Sequence, residues 1–115
     1  MLKKANRLNS KFHFKVVRKY GTKDWYEYFQ TTFVKPTNYI GPTKIGFIVS
    51  NQIHKSAAKR NKIKRILREL FRQNLAAFPN EYWIVVTANS KILNKTYEEI
   101  SYQVNRFIQK ISIPH

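Results

Sequence analysis

The chain has no cysteine, which removes disulfide staples, thiolate zinc sites, thiol nucleophiles and iron–sulfur clusters from the possible chemistries. Acidic residues are nearly as scarce. Six Asp and Glu stand against 22 Lys and Arg, leaving a formal charge of +16 at neutral pH. A compact state with that charge repels itself, and a polyanion is the natural counterpart. No run of about 18 apolar residues is present to span a bilayer. The opening MLKKANRLNS lacks the apolar core of a secretory signal. Binding to a membrane surface would require an exposed amphipathic helix or a lipid signal, and neither stands out. The expectation is a cytoplasmic protein with no membrane partner. Against these absences, the chain is 43% hydrophobic and holds eight Phe, seven Tyr and two Trp, types in which disordered chains are poor. Its 115 residues fit one folded domain, 1–115.

Few glycines and prolines interrupt the chain, and they fall where elements should end: Gly21, Pro36, Gly41 with Pro42, Pro79 and Pro114. Asn9 or Ser10 can cap a short first helix carrying Phe12, Phe14, Val16 and Val17, with Gly21 placed to end it. The stretch Trp25 to Val34 is aromatic, β-branched and alternating, and it reads as a strand. KPTNYIGPT then turns the chain into a buried strand, Lys44 to Ser50. These two strands look like an antiparallel pair, with room for an extra short strand near Thr22 to Asp24. YWIVVTA (Tyr82 to Ala88) is apolar enough to be a central strand. Thr96 and Glu99 form a T-x-x-E capping box for a final helix with Tyr97, Ile100, Val104, Phe107, Ile108 and Ile111 at helical spacing. The expected fold class is α+β, a single-domain sandwich in the order α-β-β-(β)-α-β-α, with the helices on one side of a small sheet. Of the strand aromatics Tyr26, Tyr28, Phe29 and Phe33, most are expected in the core.

Between these strands lies KSAAKRNKIKRILRELFR, Lys55 to Arg72, with eight basic residues and one acid. On a helix from Lys55 to Leu75, the residues Ile63, Ile66, Leu67, Leu70 and Phe71 fall within a sector of roughly 140°, a core face. Ala58, Asn61, Arg65, Arg68 and Arg72 occupy the opposite sector. Arg60 and Lys64 flank the apolar stripe on one side, Lys59 and Lys62 on the other. A merely solvated face would interleave both signs to gain i,i+4 pairs. Here only Glu69 is acidic, within reach of Arg65 or Arg72. Phosphates most simply relieve the remaining repulsion, with counterion release making affinity fall steeply with salt. Asn61 is either a tolerated surface residue or an amide reaching sugar or phosphate oxygens.

Unaided catalysis finds little support. His13, His54 and His115 are far apart in sequence, and the acids Asp24, Glu27, Glu69, Glu81, Glu98 and Glu99 form no D-x-D or H-E-x-x-H cluster. A helix-turn-helix is disfavoured because a strand, not a helix, directly precedes the basic segment. A noncatalytic RNA-binding module, such as a ribosomal or assembly protein, fits charge and fold class.

The pattern Arg60-Asn61-Lys62-Ile63-Lys64-Arg65-Ile66-Leu67-Arg68-Glu69 resembles the signature helix of the bacterial ribonuclease P protein family. Asn6-Arg7-Leu8, Phe14, Lys44-Ile45-Gly46-Phe47-Ile48-Val49-Ser50 and Tyr82-Trp83-Ile84-Val85-Val86 follow in the family's order, so the resemblance covers nearly the whole chain. It implies a left-handed crossover from the Lys44 strand through the basic helix to the Tyr82 strand, an exception to the usual hand. It also implies a subunit that binds the ribonuclease P RNA and the 5′ leader of precursor tRNA, one protein per catalytic RNA. The cleavage itself belongs to that RNA and its Mg²⁺ ions, so no catalytic residue is expected on this chain. Lys59, Arg60, Asn61, Lys62, Lys64, Arg65, Arg68 and Arg72 are the implied RNA-binding residues. Phe14, Arg18, Lys44 and Ser50 are implied at the leader cleft. Lys62 stands where the family usually has a second Arg, which keeps charge but not bidentate geometry. Arg18 takes an often aromatic position, where a guanidinium plane can still stack on a base. Asn51 and Gln52 stand where two lysines are frequent.

Overall fold

A computed structural model of the chain describes residues 3–8, 10–75, 78–79 and 81–112. The elements are α1 (Lys11–Tyr20), β1 (Thr22–Trp25), β2 (Phe29–Val34), β3 (Lys44–Ile48), α2 (Ala57–Gln73), β4 (Trp83–Ala88) and α3 (Tyr97–Ser112), with 3₁₀ turns at Lys4–Asn6 and Ser90–Ile92. The mixed α+β class, the central place of the YWIVVTA strand and the extra strand at residue 22 are as expected. One sheet runs in the order β1-β2-β4-β3. β4 is antiparallel to β2, with Phe29 opposite Ala88 and Val34 opposite Trp83. It is parallel to β3, with Lys44 opposite Trp83 and Ile48 opposite Thr87.

Three expectations are corrected. The Trp25 and Lys44 strands are not partners, because β4 lies between them. The connection over 35–43 is too long for a tight hairpin. The most apolar strand, with Trp83 through Val86 all buried, takes the place that is covered on both faces. Next, Trp25 to Val34 is not one strand. The backbone N–H of Tyr26 donates to Phe29 O at 2.9 Å, turning the chain so that Trp25 pairs with Gln30. Alternation of large residues continues through this turn, so periodicity alone could not reveal it. Tyr26, Tyr28, Phe29 and Phe33 all pack in the larger core, as expected for most of them.

The third correction concerns the layers. Helices cover both faces of the sheet. Ile63, Leu67, Leu70 and Phe71 of α2, with Ile100, Val104, Phe107 and Ile108 of α3, close over Phe29, Ile45, Ile84 and Val86. On the other face Val17 of α1 joins Leu8, Trp83 and Val85 in a smaller core, with Phe14, Val16, Val34 and Ile48 packed at its margin. The short apolar stripe of α1 caps the face that β4 would otherwise expose.

Local chemistry explains the ends of these elements. Ser10 sits at the N-cap of α1 without a side-chain capping bond, and Asn9 lies outside the described residues. Gly21 ends the helix by close approach: a Cβ there would stand 2.4 Å from Val17 O and 2.7 Å from Thr32 Cγ2. Its φ of −78° is ordinary, so no left-handed turn is involved. α2 starts later than Lys55, at a cap where the Ser56 side chain accepts from Lys59 N. At its end the Asn74 side chain donates to Leu70 O at 2.7 Å. The capping box forms as expected, with Glu99 N donating to Thr96 Oγ1 at 3.1 Å and Thr96 N to Glu99 Oε1 at 3.4 Å.

Leu70 is 2% exposed in the α2–sheet core. Leu70→Ala is expected to lower unfolding free energy by about 2 to 5 kcal/mol in a denaturant titration, with an unchanged m-value.

Candidate nucleic-acid interface

The two-face division of α2 is realised. Ile63, Leu67, Leu70 and Phe71 are buried, and Lys59, Asn61, Lys62, Arg65, Arg68 and Arg72 are exposed, with Arg60 and Lys64 half-buried. The cations do not serve alike. Arg72 Nε donates to Glu69 Oε2 at 2.9 Å and Nη2 grips the other oxygen, a bidentate pair. That hydrogen bond holds the Glu69 carboxyl down at about 2, so the acid stays ionised throughout the working range. Arg60 turns its Nη1 back onto His54 O (2.8 Å) and Lys55 O (2.9 Å), clamping the loop that enters the helix. Lys59, Lys62, Lys64, Arg65 and Arg68 have no ion-pair partner among the described residues. The first turn of α2 contains no acid, and Lys59 within that turn stands close to the positive end of the helix dipole.

A second basic surface lies between α1 and the sheet. Lys11, Phe14, Lys15 and Arg18, at i, i+3, i+4 and i+7, face Ile48 across an open groove of about 470 Å³. Gly46 makes room for the aromatic wall. A Cβ there would meet Phe14 Cζ at 2.6 Å and Leu8 O at 3.0 Å, so only glycine lets the ring and the N-terminal segment lie down on β3. That segment also covers the strand's outer edge: Leu8 N donates to Ile45 O at 3.0 Å, and Asn6 Nδ2 to Thr43 O at 2.9 Å. Asn6 and Leu8 of the Asn6-Arg7-Leu8 motif therefore have structural work.

The implied cleft residues are only partly brought together. Phe14 and Arg18 share the groove, and exposed Ser50 follows two residues after Ile48. Lys44 sits at the other end of β3, about 13 Å away by strand rise, with Nζ donating to Ala5 O at 3.1 Å. Asn51 and Gln52 are exposed in the turn that follows. Lys11 and Lys15 were missed by sequence reasoning, although their helical spacing from Phe14 and Arg18 was a usable signal.

His13 and His54 make separate local contacts. His13 lies against Trp83 with ring centroids 4.2 Å apart. Burial, then the charge of Lys44, lowers its pKa below the ordinary 6.5. His54 Nδ1 accepts from Ser56 N at 2.9 Å, fixing the α2 cap. His115 lies outside the described residues. Among those residues, no group of three or more His, Asp and Glu side chains could hold a metal ion. No described helix is long and apolar enough to cross a membrane.

Fold and charge together define a class: a small α+β domain that presents unpaired cations on one helix and a basic, aromatic groove beside another. Comparisons with known proteins agree on its family. The ribonuclease P family model matches residues 2–112. A ribonuclease P protein component from Pseudanabaena sp. is 32% identical, with all of this chain and 98% of the relative covered. One from Thermotoga maritima is 32% identical over 86% of this chain and 81% of the relative. Among solved structures, the RNase P protein from T. maritima superposes with a TM-score of 0.80 at 27% identity, covering 91% of this chain and 96% of that one. The Staphylococcus aureus RNase P protein gives 0.84 at 25% identity, covering 96% and 100%. The chain belongs to the ribonuclease P protein family, and so is the protein component of a ribonuclease.

Two outcomes follow from this geometry. Arg65→Ala with Arg68→Ala is expected to leave thermal stability within about 0.5 kcal/mol, because both side chains point away from the core. RNA binding should weaken, and the slope of log K against log salt should shrink by about 0.7 to 0.9 per lost contact in a filter-binding titration. For His13, folding disfavours the proton. Its stabilising contribution is present above about pH 6.5 and declines as pH falls through the lower folded-state value. Melting temperature should therefore drop between about pH 7.5 and about pH 5.5, and drop less in His13→Phe, which keeps a ring against Trp83 but cannot titrate.

Proposed function

We propose that the protein binds the catalytic RNA of ribonuclease P through the exposed cations of α2, and holds the 5′ leader of precursor tRNA in the groove between α1 and β3. In this role it assists the endonucleolytic step that releases the mature tRNA 5′ end. The observation that carries the reading is the set of five cations on α2, Lys59, Lys62, Lys64, Arg65 and Arg68, with no ion-pair partner among the described residues. Unpaired charge at that density favours a phosphate backbone, whose condensed counterions are released on contact. Phe14 supplies a flat apolar face and Arg18 a planar guanidinium for unpaired bases, with Lys11 and Lys15 for the strand's phosphates.

On this reading the chemistry lies with the RNA. The Mg²⁺ ions of the cleavage are on this reading held by RNA groups, and the chain's own residues bind and position. The protein's share is positioning and charge: it screens repulsion between two polyanions and extends substrate contact into the leader. Arg60 contributes by fixing the entry to α2, and Arg72 is held by Glu69 at the far end.

Reconstitution with a bacterial ribonuclease P RNA at low Mg²⁺ tests this directly. Precursor tRNA cleavage should be faster with the protein than with RNA alone, and removing the leader from the substrate should reduce the protein's effect on affinity. Absence of any stimulation would defeat the assignment and leave a general RNA-binding module.

A further inference from the structure

α1 has a second flank that the leader groove does not use. Phe12, Val16 and Tyr20, at i, i+4 and i+8, line a separate groove of about 400 Å³ with Val34, Pro36 and Trp83. Phe12 and Tyr20 remain 66% and 65% exposed, an unusual state for large rings on a ten-residue helix. Eight residues of helical rise separate these two platforms by about 12 Å.

Among the described residues no acid lines this groove. Lys35 stands within it, paired at 3.8 Å to Glu81, and Lys19 Nζ lies 5.3 Å from the centre of the Tyr20 ring. Docking of a second copy would bring together two chains of formal charge +16 each, which opposes association. An unpaired RNA strand fits instead, because it joins flat apolar faces to a negative backbone, and aromatic platforms inside a basic field are how such strands are held.

We infer that the Phe12–Tyr20 flank of α1 is a second site for single-stranded RNA, distinct from the Phe14–Arg18 groove, so that α1 can engage two unpaired segments on opposite flanks. The ligand class rests on the RNA-binding reading above, whereas the location rests on the groove itself.

Trp83 reports on this site. In a Trp25→Phe chain it is the only tryptophan, and it lines this groove but not the other. Titration with a short oligouridylate at low salt should change Trp83 emission saturably. Phe12→Ala with Tyr20→Ala should raise the Kd of that signal about tenfold or more, as loss of base stacking requires. Phe12→Leu with Tyr20→Leu keeps the surface apolar while removing the π faces, and should behave like the alanine pair, so the test survives if the alanine protein is unstable. An unchanged Trp83 titration in both double variants would overturn the inference. So would a dimer in sedimentation without RNA that the leucine pair converts to monomer, since the occupant would then be a second copy. The α2 reading fails separately, if the Arg65→Ala, Arg68→Ala protein binds catalytic RNA at full strength whatever Trp83 reports.

Discussion

Everything in this fold depends on β4 being buried on both faces. Its even-numbered side chains, Ile84, Val86 and Ala88, enter the core under α2 and α3, while Trp83 and Val85 enter the one under α1. A strand covered on two sides needs neighbours on both edges, and β2 and β3 supply them with opposite polarity. Without it, β2 and β3 would lose their shared ladder and α1 would lose the floor on which it lies. The outer edge of β3 is then closed by the N-terminal segment through Leu8 and Asn6.

This arrangement separates what packs from what is presented. The apolar stripe of α2 is spent on the larger core, leaving its cations on the opposite side. Placing Lys59 near the positive end of a helix with no acid in its first turn is locally unfavourable, by about 0.3 to 1 kcal/mol for an exposed charge. A helix selected only for stability would carry Asp or Glu there. On the proposed reading, phosphates reverse the sign of that term, since the same helix end attracts anions. α1 follows the same logic at smaller scale: Val17 anchors it, and both flanks remain available.

How much of this could be read from the sequence differs by the range of the interaction. The two faces of α2 and the Thr96–Glu99 box depend on residues three to eight apart, and their periodicity is complete within the segment. The family motif named the partner class from a pattern equally local. Strand order is another matter. Nothing within Trp25 to Val34 or Lys44 to Ser50 encodes that β4, some forty residues after β3 begins, will come between them. Likewise α1 has a short apolar stripe that would suit either face of the sheet. The choice is made by Gly46 and Gly21, whose missing Cβ atoms admit Phe14 and Thr32 respectively. Lys44 appeared beside Phe14 because the family pattern groups them, yet register places it at the opposite end of β3 from the Arg18 groove.

The limits of the α2 surface are set by its one acid. Glu69 stays ionised far below neutral pH, because Arg72 donates two hydrogen bonds to it. An arginine held in this way can reach a phosphate only by giving up a bidentate partner, whereas Arg68 and Arg65, one and two turns earlier, have no ion-pair partner to give up among the described residues. Arg60 is committed at the other end, where its guanidinium binds two carbonyls of the entering loop. Four of the five cations free to grip, Lys62, Lys64, Arg65 and Arg68, are therefore bracketed between two arginines that hold structure. Within that bracket, Lys62 supplies charge at the position where a fork would supply geometry, so recognition there depends on field strength more than on shape.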